Sequence, residues 1–589
     1  MGGVTMGSFE RYRSLAAPLP AQTWAWNMVG AGVENIGRGG KPELEPVPTP
    51  GSDQLLVRVD AVGMCFSDVK LIKQGGQHPK LHNRDLSVNP TRLGHEVAMT
   101  VVQVGTALQE RFHPGQRLVL QPDIYDAQGR NTAYGYSIPG GLIQFHLVGP
   151  EVLAAGPDQQ TCYVLPLEGD LGYAAAALTE PWACVEAAYT QRRRLEVLKG
   201  GSLWIWGHPD DPTPYVFSAG LENPARIVLS DVPPAVEALV RAEARRRPVE
   251  IIERNGLTVE ALADLRALTD GAGFDDIIVL DPRSAEGVSA AARLIARRGT
   301  FNLVGQTPLD GLCQVDVGRI HYDYTAYLGN RGPDIAASYG KARNRCELRT
   351  GGTAVFVGAG GPMGQMHVQR ALELPEGPAV IVATDVNAER LAILEAQFAS
   401  LAAQHGKTLV IFNPNAAEKS LAELVRELTG GQGADDVVVS VPAAAVMADA
   451  ATLLKADGML VFFAGVPNGT YAPLDLSLIY LHNAQFTGTS GSTLADQQLV
   501  INKALAGKLS PNRSVAAVGG LNVAAEGARA MIEGRFAGKI VIYPQLIGLP
   551  LLGLAELAEQ YPDIGAAMGP GHVWTNEAER RLIETFWQG

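Results

Sequence analysis

The sequence predicts an α/β protein in which a strand-rich N-terminal domain precedes two doubly wound units, the first degenerate and the second intact. Three observations carry this reading. Residues 1–199 hold many short strand candidates bounded by Gly or Pro and few helix signals. From about residue 200, strand and helix signals alternate, as they do in parallel-sheet units. That alternation then occurs twice. Leu257–Val279 reads against Lys419–Val439, Arg298–Gly305 against Asp457–Gly465, and Leu328–Gly332 against Thr487–Gly491, always about 160 residues apart (257 to 419, 298 to 457, 328 to 487). Three blocks in one order at one spacing favour duplication over a chance likeness of α/β segments. The division expected is 1–199 for the β-rich domain, 200–345 for the degenerate copy, 346–515 for the intact copy, and 516–589 for a returning segment with a tail.

In the first domain, Leu55–Val59 alternates and runs on to Cys65, and Val97–Val104 and Arg117–Leu120 are further strands, together suggesting a compact barrel-like domain. In the first copy, the strand Leu203–Trp206 leads into Gly207-His208-Pro209-Asp210-Asp211-Pro212. Two carboxylates there repel a diphosphate and the prolines lack N–H donors, although Asp231 still ends the next strand. This copy reads as a structural or dimerising unit, with an altered ligand as the sharper alternative.

In the second copy, the apolar run Thr353–Phe356 is followed by the turn Val357-Gly358-Ala359-Gly360-Gly361-Pro362-Met363-Gly364 and the helix signal Gln365–Leu372. A second run, Ala379–Ala383, ends in Thr384-Asp385. Glycines admit a pyrophosphate to the helix N-terminus, and a carboxylate at the next strand's tip binds a ribose diol and repels a 2′-phosphate. Gly358, Gly360, Gly361, Pro362, Met363, Gly364 and Asp385 are therefore the candidate cofactor residues, for NAD over NADP. The turn is one residue longer than a plain G-x-G-x-x-G, so either Gly358 or Ala359 takes the first glycine's place. Gly534–Tyr543 gives a helix end, a turn and a strand, and the tail Pro544–Gly589 shows no catalytic constellation.

The 589 residues exceed one core and suit three or four domains. A net charge of −13 speaks against nucleic acid or an anionic membrane as partner. No apolar run reaches spanning length, and Glu10, Arg11 and Arg13 interrupt any leader-like core. Five scattered cysteines (65, 162, 184, 313 and 346) form no disulfide framework, which fits a reducing cytoplasm.

The chemistry-bearing residues lie in the first domain. Cys65-Phe66-Ser67-Asp68 follows a strand, Gly94-His95-Glu96 opens another, and Glu180 stands in Leu178–Trp182. Thiolate, imidazole and carboxylate are the ligand set of a catalytic zinc with one open position. Asp68 suits the far nitrogen of a ligating His. Taken singly, Cys65 reads as a small core residue, His95 as a hydrogen-bonded one and Glu180 as a surface or capping carboxylate. The combination with a dinucleotide turn favours the metal.

These motifs resemble the zinc-dependent medium-chain dehydrogenase/reductase family, and within it the polyol branch around sorbitol dehydrogenase. The resemblance covers residues 25–199 and about 346–545. It implies a GroES-like barrel holding zinc, a Rossmann domain holding NAD(P), and an active site between them. It makes Cys65 and His95 zinc ligands, Glu96 the third ligand and Glu180 an alternative or exchanging one, with Ser67 passing the substrate proton. Lys70 stands where relatives often have a His in the relay, and apolar Phe66 where the pyrophosphate can be touched. Pro122–Gly141 contains no cysteine, so no structural zinc is expected beside the one catalytic site. The copy at 200–345 is foreign to the family's usual plan.

The function expected is hydride transfer between NAD(H) and an alcohol or carbonyl, on a polyol, sugar or sugar phosphate, by a homodimer or homotetramer. A non-catalytic NAD-binding scaffold or sensor, and a redox-neutral epimerase or lyase with bound NAD, are the alternatives. Lys80, Arg84 and Arg92 offer a phosphate clamp or a solvated loop, and Tyr134, Tyr136 and Trp182 a sugar-stacking group or core. Since the intact copy must face the zinc, the degenerate copy is expected outboard.

Overall fold

Strand registers sort the chain into three large sheets in the computed structural model, which describes residues 6–589. The first has eight strands and is built around Leu55–Gly63, every residue of which is buried. Glu96–Val104 pairs antiparallel on one side of it and Lys539–Tyr543 on the other. The C-terminal strands Val515–Gly520 and Leu552–Gly553 extend the same sheet.

The other two sheets have six parallel strands each. Their orders are identical: third, second, first, fourth, fifth and sixth strand of the unit. In the first repeat these are Glu250–Glu253, Arg226–Ser230, Ser202–Trp206, Phe274–Leu280, Ile295–Val304 and Ala326–Asn330. In the second they are Thr408–Phe412, Val380–Thr384, Thr353–Val357, Ala434–Val439, Leu454–Phe462 and Gln485–Gly488. Parallel strands covered on both faces require near-continuous apolar sequence, which the central strands Ser202–Trp206 and Thr353–Val357 have.

The repeat extends to side chains. Asp276 and Asp436, at matching positions of the fourth strands, are both fully buried. Asp276 pairs with Arg194 at 2.7 Å and accepts from the Leu198 N–H; Asp436 pairs with Arg345 and accepts from the Arg349 N–H. Each arginine lies just before its unit's first strand, so one ion pair clips the entry of each repeat to its sheet.

The two units pack on each other through a short antiparallel ladder, Cys313–Asp316 against Tyr471–Leu474. A shift of 158 residues (313 to 471, 316 to 474) carries one strand onto the other, and the register maps onto itself. The repeats are thus related by a local twofold, and one apolar core containing Trp204, Phe301, Phe462 and Phe486 runs through both. They differ at the first crossover. The second repeat has the helix Pro362–Glu373 there, whereas 207–225 contains no helix.

The tail contributes structure. Glu579, on the helix Asn576–Phe586, accepts from the N–H groups of Tyr173 (2.6 Å) and Ala174 (2.7 Å) and from the Tyr543 hydroxyl. Among the described residues, no helix is long and apolar enough to cross a membrane.

Two expected outcomes test this packing. Asp276→Ala or Asp436→Ala leaves a largely buried guanidinium unpaired and is expected to cost about 3 kcal/mol or more. Chemical denaturation reads it, and a loss under about 1 kcal/mol would refute the role. The second concerns Glu373, which accepts from Gln369 and the Ser510 N–H while burial pushes its carboxyl from 4.5 up to about 7. The folded chain holds this proton more tightly than the unfolded chain. Stability from the neutral carboxyl is complete below about pH 4.5 and is lost as the pH rises to about 7. Glu373→Gln should therefore raise the melting temperature more at pH 8 than at pH 5; equal shifts would contradict this.

Candidate metal centre and active-site cleft

Cys65 ends the Leu55–Gly63 connection and starts the helix Phe66–Gln74, and its backbone N–H donates to Asp68 Oδ2 at 3.3 Å. The adjacent strand sets Glu96 opposite Gly63, which brings His95 and Glu96 beside that helix start. One ligand atom each from Cys65, His95 and Glu96 lie within 4.8 Å of one another. Gly63 is required for this approach, because a Cβ there would meet Glu96 Oε2 at 2.1 Å.

Asp68 Oδ1 lies 3.1 Å from His95 Nδ1, fixing the ring so that Nε2 is left for the trio. Burial alone would lower the imidazole pKa, but Asp68 and Cys65 outweigh it and hold it well above the usual value. Glu96 Oε1 is ion-paired with Lys539, which also donates to the Met64 carbonyl at 3.4 Å. Burial acts to lower the Lys539 ammonium; Glu96 and Cys65 reverse this and keep it charged. Glu96 Oε2, in contrast, is buried with no hydrogen-bond partner. An orphaned carboxylate oxygen beside a thiol and an imidazole is what a divalent cation completes, so the donor set fits zinc.

Glu180 lies near this group but outside the trio. It sits on the helix Thr179–Ala187, 6% exposed, where burial lifts its carboxyl from 4.5 to about 7, opposed by His95 and reinforced by Glu96. Ser67 Oγ is 3.3 Å from His95 Nε2, and Lys70 stands one turn further along the same helix face. Phe66 is 63% exposed.

The dinucleotide turn is formed by residues 358–361. Gly358 has φ +78°, and the N–H groups of Gly358 and Ala359 both donate to the Thr384 carbonyl at 2.9 Å, so the extra residue is taken up before the helix. A Cβ on Gly364 would lie 2.3 Å from the Gly358 carbonyl oxygen, so only glycine lets the helix close on the turn. Pro362 occupies the first helical turn and no side chain caps that end, leaving its N–H groups for an anion. Asp385 Oδ2 accepts from the Gly360 N–H at 3.0 Å, so the carboxylate lies against the turn. The fit to a dinucleotide rests on this uncapped glycine turn with a carboxylate beside it.

Both halves meet in one cleft of about 1450 Å³, lined by Cys65, Ser67, Lys70, His95 and Glu180 from the first domain and by Met363 and Thr489–Ala495 from the second repeat. Glu186 and Arg370, paired at 3.0 Å, lock the Glu180 helix to the dinucleotide-turn helix.

The expectation of an outboard first repeat is corrected here. Arg297, Arg298, His321, Tyr322 and Tyr324 of that repeat line the same cleft as Cys65. Arg297 and Arg298 lie near the start of its fifth strand and His321–Tyr324 just ahead of its sixth, and the packing of the two repeats brings both to the cleft, an arrangement that no linear reading contains. The phosphate clamp is corrected too. Lys80 lines the cleft but its ammonium pairs with Asp123 at 2.8 Å. Arg84 donates to the Ser137 carbonyl and Arg92 to Asn27 Oδ1, each at 3.1 Å and outside the cleft lining. Of the aromatic group, Trp182 (0% exposed) and Tyr134 (1%) are core, while Tyr136 faces the cleft with its ring 5.8 Å from His95. Sequence reasoning missed Lys539, Arg297, Arg298 and His321. Lys539 alone had a signal, standing in the segment Gly534–Tyr543 that leads back to the first domain.

Comparison with known proteins agrees with the geometry. The family model described as Alcohol dehydrogenase GroES-like domain matches residues 51–158, and that described as Zinc-binding dehydrogenase matches 362–505. The uncharacterized protein YggP of Escherichia coli (strain K12) is 30% identical over 309 residues, 49% of this chain and 70% of that protein. L-sorbose 1-phosphate reductase of Klebsiella pneumoniae is 23% identical, covering 92% of this chain and 94% of its own. Mannitol-1-phosphate 5-dehydrogenase of Aliivibrio fischeri (strain ATCC 700601 / ES114) gives the same three figures. With a sulfur–imidazole–carboxylate trio and a dinucleotide turn on one cleft, the chain belongs to the zinc-dependent medium-chain dehydrogenase/reductase family.

Proposed function

We propose that this chain transfers a hydride between a nicotinamide cofactor, NAD, and the carbinol or carbonyl carbon of a polyol, sugar or sugar phosphate. The observation that carries the reading is the partnerless Glu96 Oε2 beside Cys65 and His95, in the cleft that Met363 of the dinucleotide-turn helix also lines. Relatives named as an L-sorbose 1-phosphate reductase and a mannitol-1-phosphate 5-dehydrogenase support the substrate class.

Cys65, His95 and Glu96 would hold one zinc ion. When bound, the ion supplies a Lewis acid for the substrate oxygen and the nicotinamide supplies the hydride acceptor or donor. The chain's own groups do the rest. Asp68 holds the His95 ring, and Lys539 neutralises Glu96 on the side away from its open oxygen. The Ser67 hydroxyl takes the substrate proton. Its own proton leaves toward water past Lys70, which stands one turn along the helix, exposed to the cleft, where relatives often carry an imidazole. Glu180, its carboxyl lifted by burial to about 7, stands at the cleft wall and would serve as an exchanging partner for the metal.

Cys65→Ser is expected to reduce metal content, read by elemental mass spectrometry, from about one ion per chain to nearly none, with activity lost in parallel. Turnover in metal-free Cys65→Ser would overturn the assignment. Asp385→Ala is expected to raise the KM for NAD about tenfold and to narrow the preference over NADP, because it removes both the ribose acceptor and the charge that repels a 2′-phosphate. An unchanged ratio of kcat/KM for the two cofactors would remove Asp385 from the site.

A further inference from the structure

The first repeat has lost its dinucleotide turn, yet it lends side chains to the cleft. Arg297 and Arg298 lie in the strand Ile295–Val304, at a turn that the second repeat shares. Arg298 and its counterpart Asp457 both have positive φ, +59° and +61°, and each precedes a glycine. A left-handed conformation in a non-glycine residue is strained, so both repeats retain the same backbone device. Its use differs. In the second repeat, Asp457 accepts from Arg349 and from Asn483 and stays within the unit. In the first repeat the same position carries a cation that faces the cleft.

Three contacts build the position. The Arg298 N–H donates to the Asp323 carbonyl at 2.8 Å, its guanidinium lies 5.0 Å from the Tyr324 ring centre, and the Tyr324 hydroxyl donates to the Ser490 carbonyl of the second repeat. Tyr324 thus ties the arginine platform to the cleft wall. Arg297 and Arg298 are exposed, and among the described residues neither forms a salt bridge or a side-chain hydrogen bond, in a chain with net charge −13. Of the first domain's cleft cations, Lys70 follows Ser67 on its helix and Lys80 is already committed to Asp123.

We propose that Arg297 and Arg298 form the subsite for a phosphate monoester carried by the substrate, so that the degenerate repeat has become the specificity element and the true substrate is a phosphorylated polyol or sugar. The proposal rests on the reading above, in which the Cys65–His95–Glu96 end of the cleft holds the reacting carbon. Arginine forks match phosphate oxygens in pairs, and two of them on one wall give a dianion charge-assisted bonds without a competing carboxylate.

The experiment compares the zinc-loaded full chain with its Arg297→Ala/Arg298→Ala double variant on hexitol and pentitol phosphates and on the same polyols without phosphate. Calorimetric titration with D-mannitol 1-phosphate and with inorganic phosphate is run alongside. The expected result is a fall of about 100-fold in the ratio of kcat/KM for phosphorylated over plain polyols, mainly through KM. Arg298→Asp, which places the second repeat's residue there, should lower it at least as far, and Arg298→Lys should restore part of the loss. An unmoved ratio, or a KM change confined to the cofactor, overturns the subsite. If the parent protein turns over no polyol yet binds D-mannitol 1-phosphate only with the arginines present, the subsite stands and the proposed reaction falls. If plain and phosphorylated polyols are turned over alike with or without the arginines, the reaction stands and the subsite falls.

Discussion

The buried pair of Glu96 with Lys539 is the interaction on which the catalytic region depends. A carboxylate withdrawn from water costs several kcal/mol unless a cation and good hydrogen bonds offset it. Lys539 does so from a strand 443 residues away, held next to Leu55–Gly63 by an antiparallel ladder. Because the ammonium occupies only one oxygen, the other remains open beside Cys65 and His95. The same contact closes the chain, since the strand bearing Lys539 can reach Glu96 only after both repeats have been traversed. Fold closure and the assembly of the candidate trio therefore go together.

Duplication gave the molecule its second physical theme. Each repeat keeps the aspartate–arginine clip at the entry of its sheet and the left-handed turn in its fifth strand. These features serve the backbone, so they persist whatever the unit binds. What diverged is the crossover after the first strand. In the second repeat, glycines allow a helix to close on the turn and present uncapped N–H groups; in the first, prolines and aspartates leave an irregular segment. The first repeat, without that turn, contributes Arg297, Arg298 and His321 to the cleft.

The twofold also explains why a chain of this length behaves as connected layers. The ladder between Cys313–Asp316 and Tyr471–Leu474 is short, but the apolar core behind it is continuous. Tyr480 donates to the Thr307 carbonyl and Ser477 accepts from the Leu309 N–H, which adds polar ties across the same junction.

The sequence by itself determined the strand and helix pattern, the existence of the repeat, the glycine turn and the candidate pair Cys65 and His95, with Glu96 and Glu180 both left open as the third ligand. Each of these is local: glycines at fixed spacing, a cysteine at a strand end, an apolar period, or blocks that recur at one offset. Only the tertiary structure decided that Glu96 keeps one oxygen open, that Lys80 is spent on Asp123, that Trp182 and Tyr134 are core, and that Arg297 and Arg298 reach the cleft. Those facts depend on partners hundreds of residues apart and on the twofold between the repeats. No periodicity along the chain records which face of one folded unit will meet another.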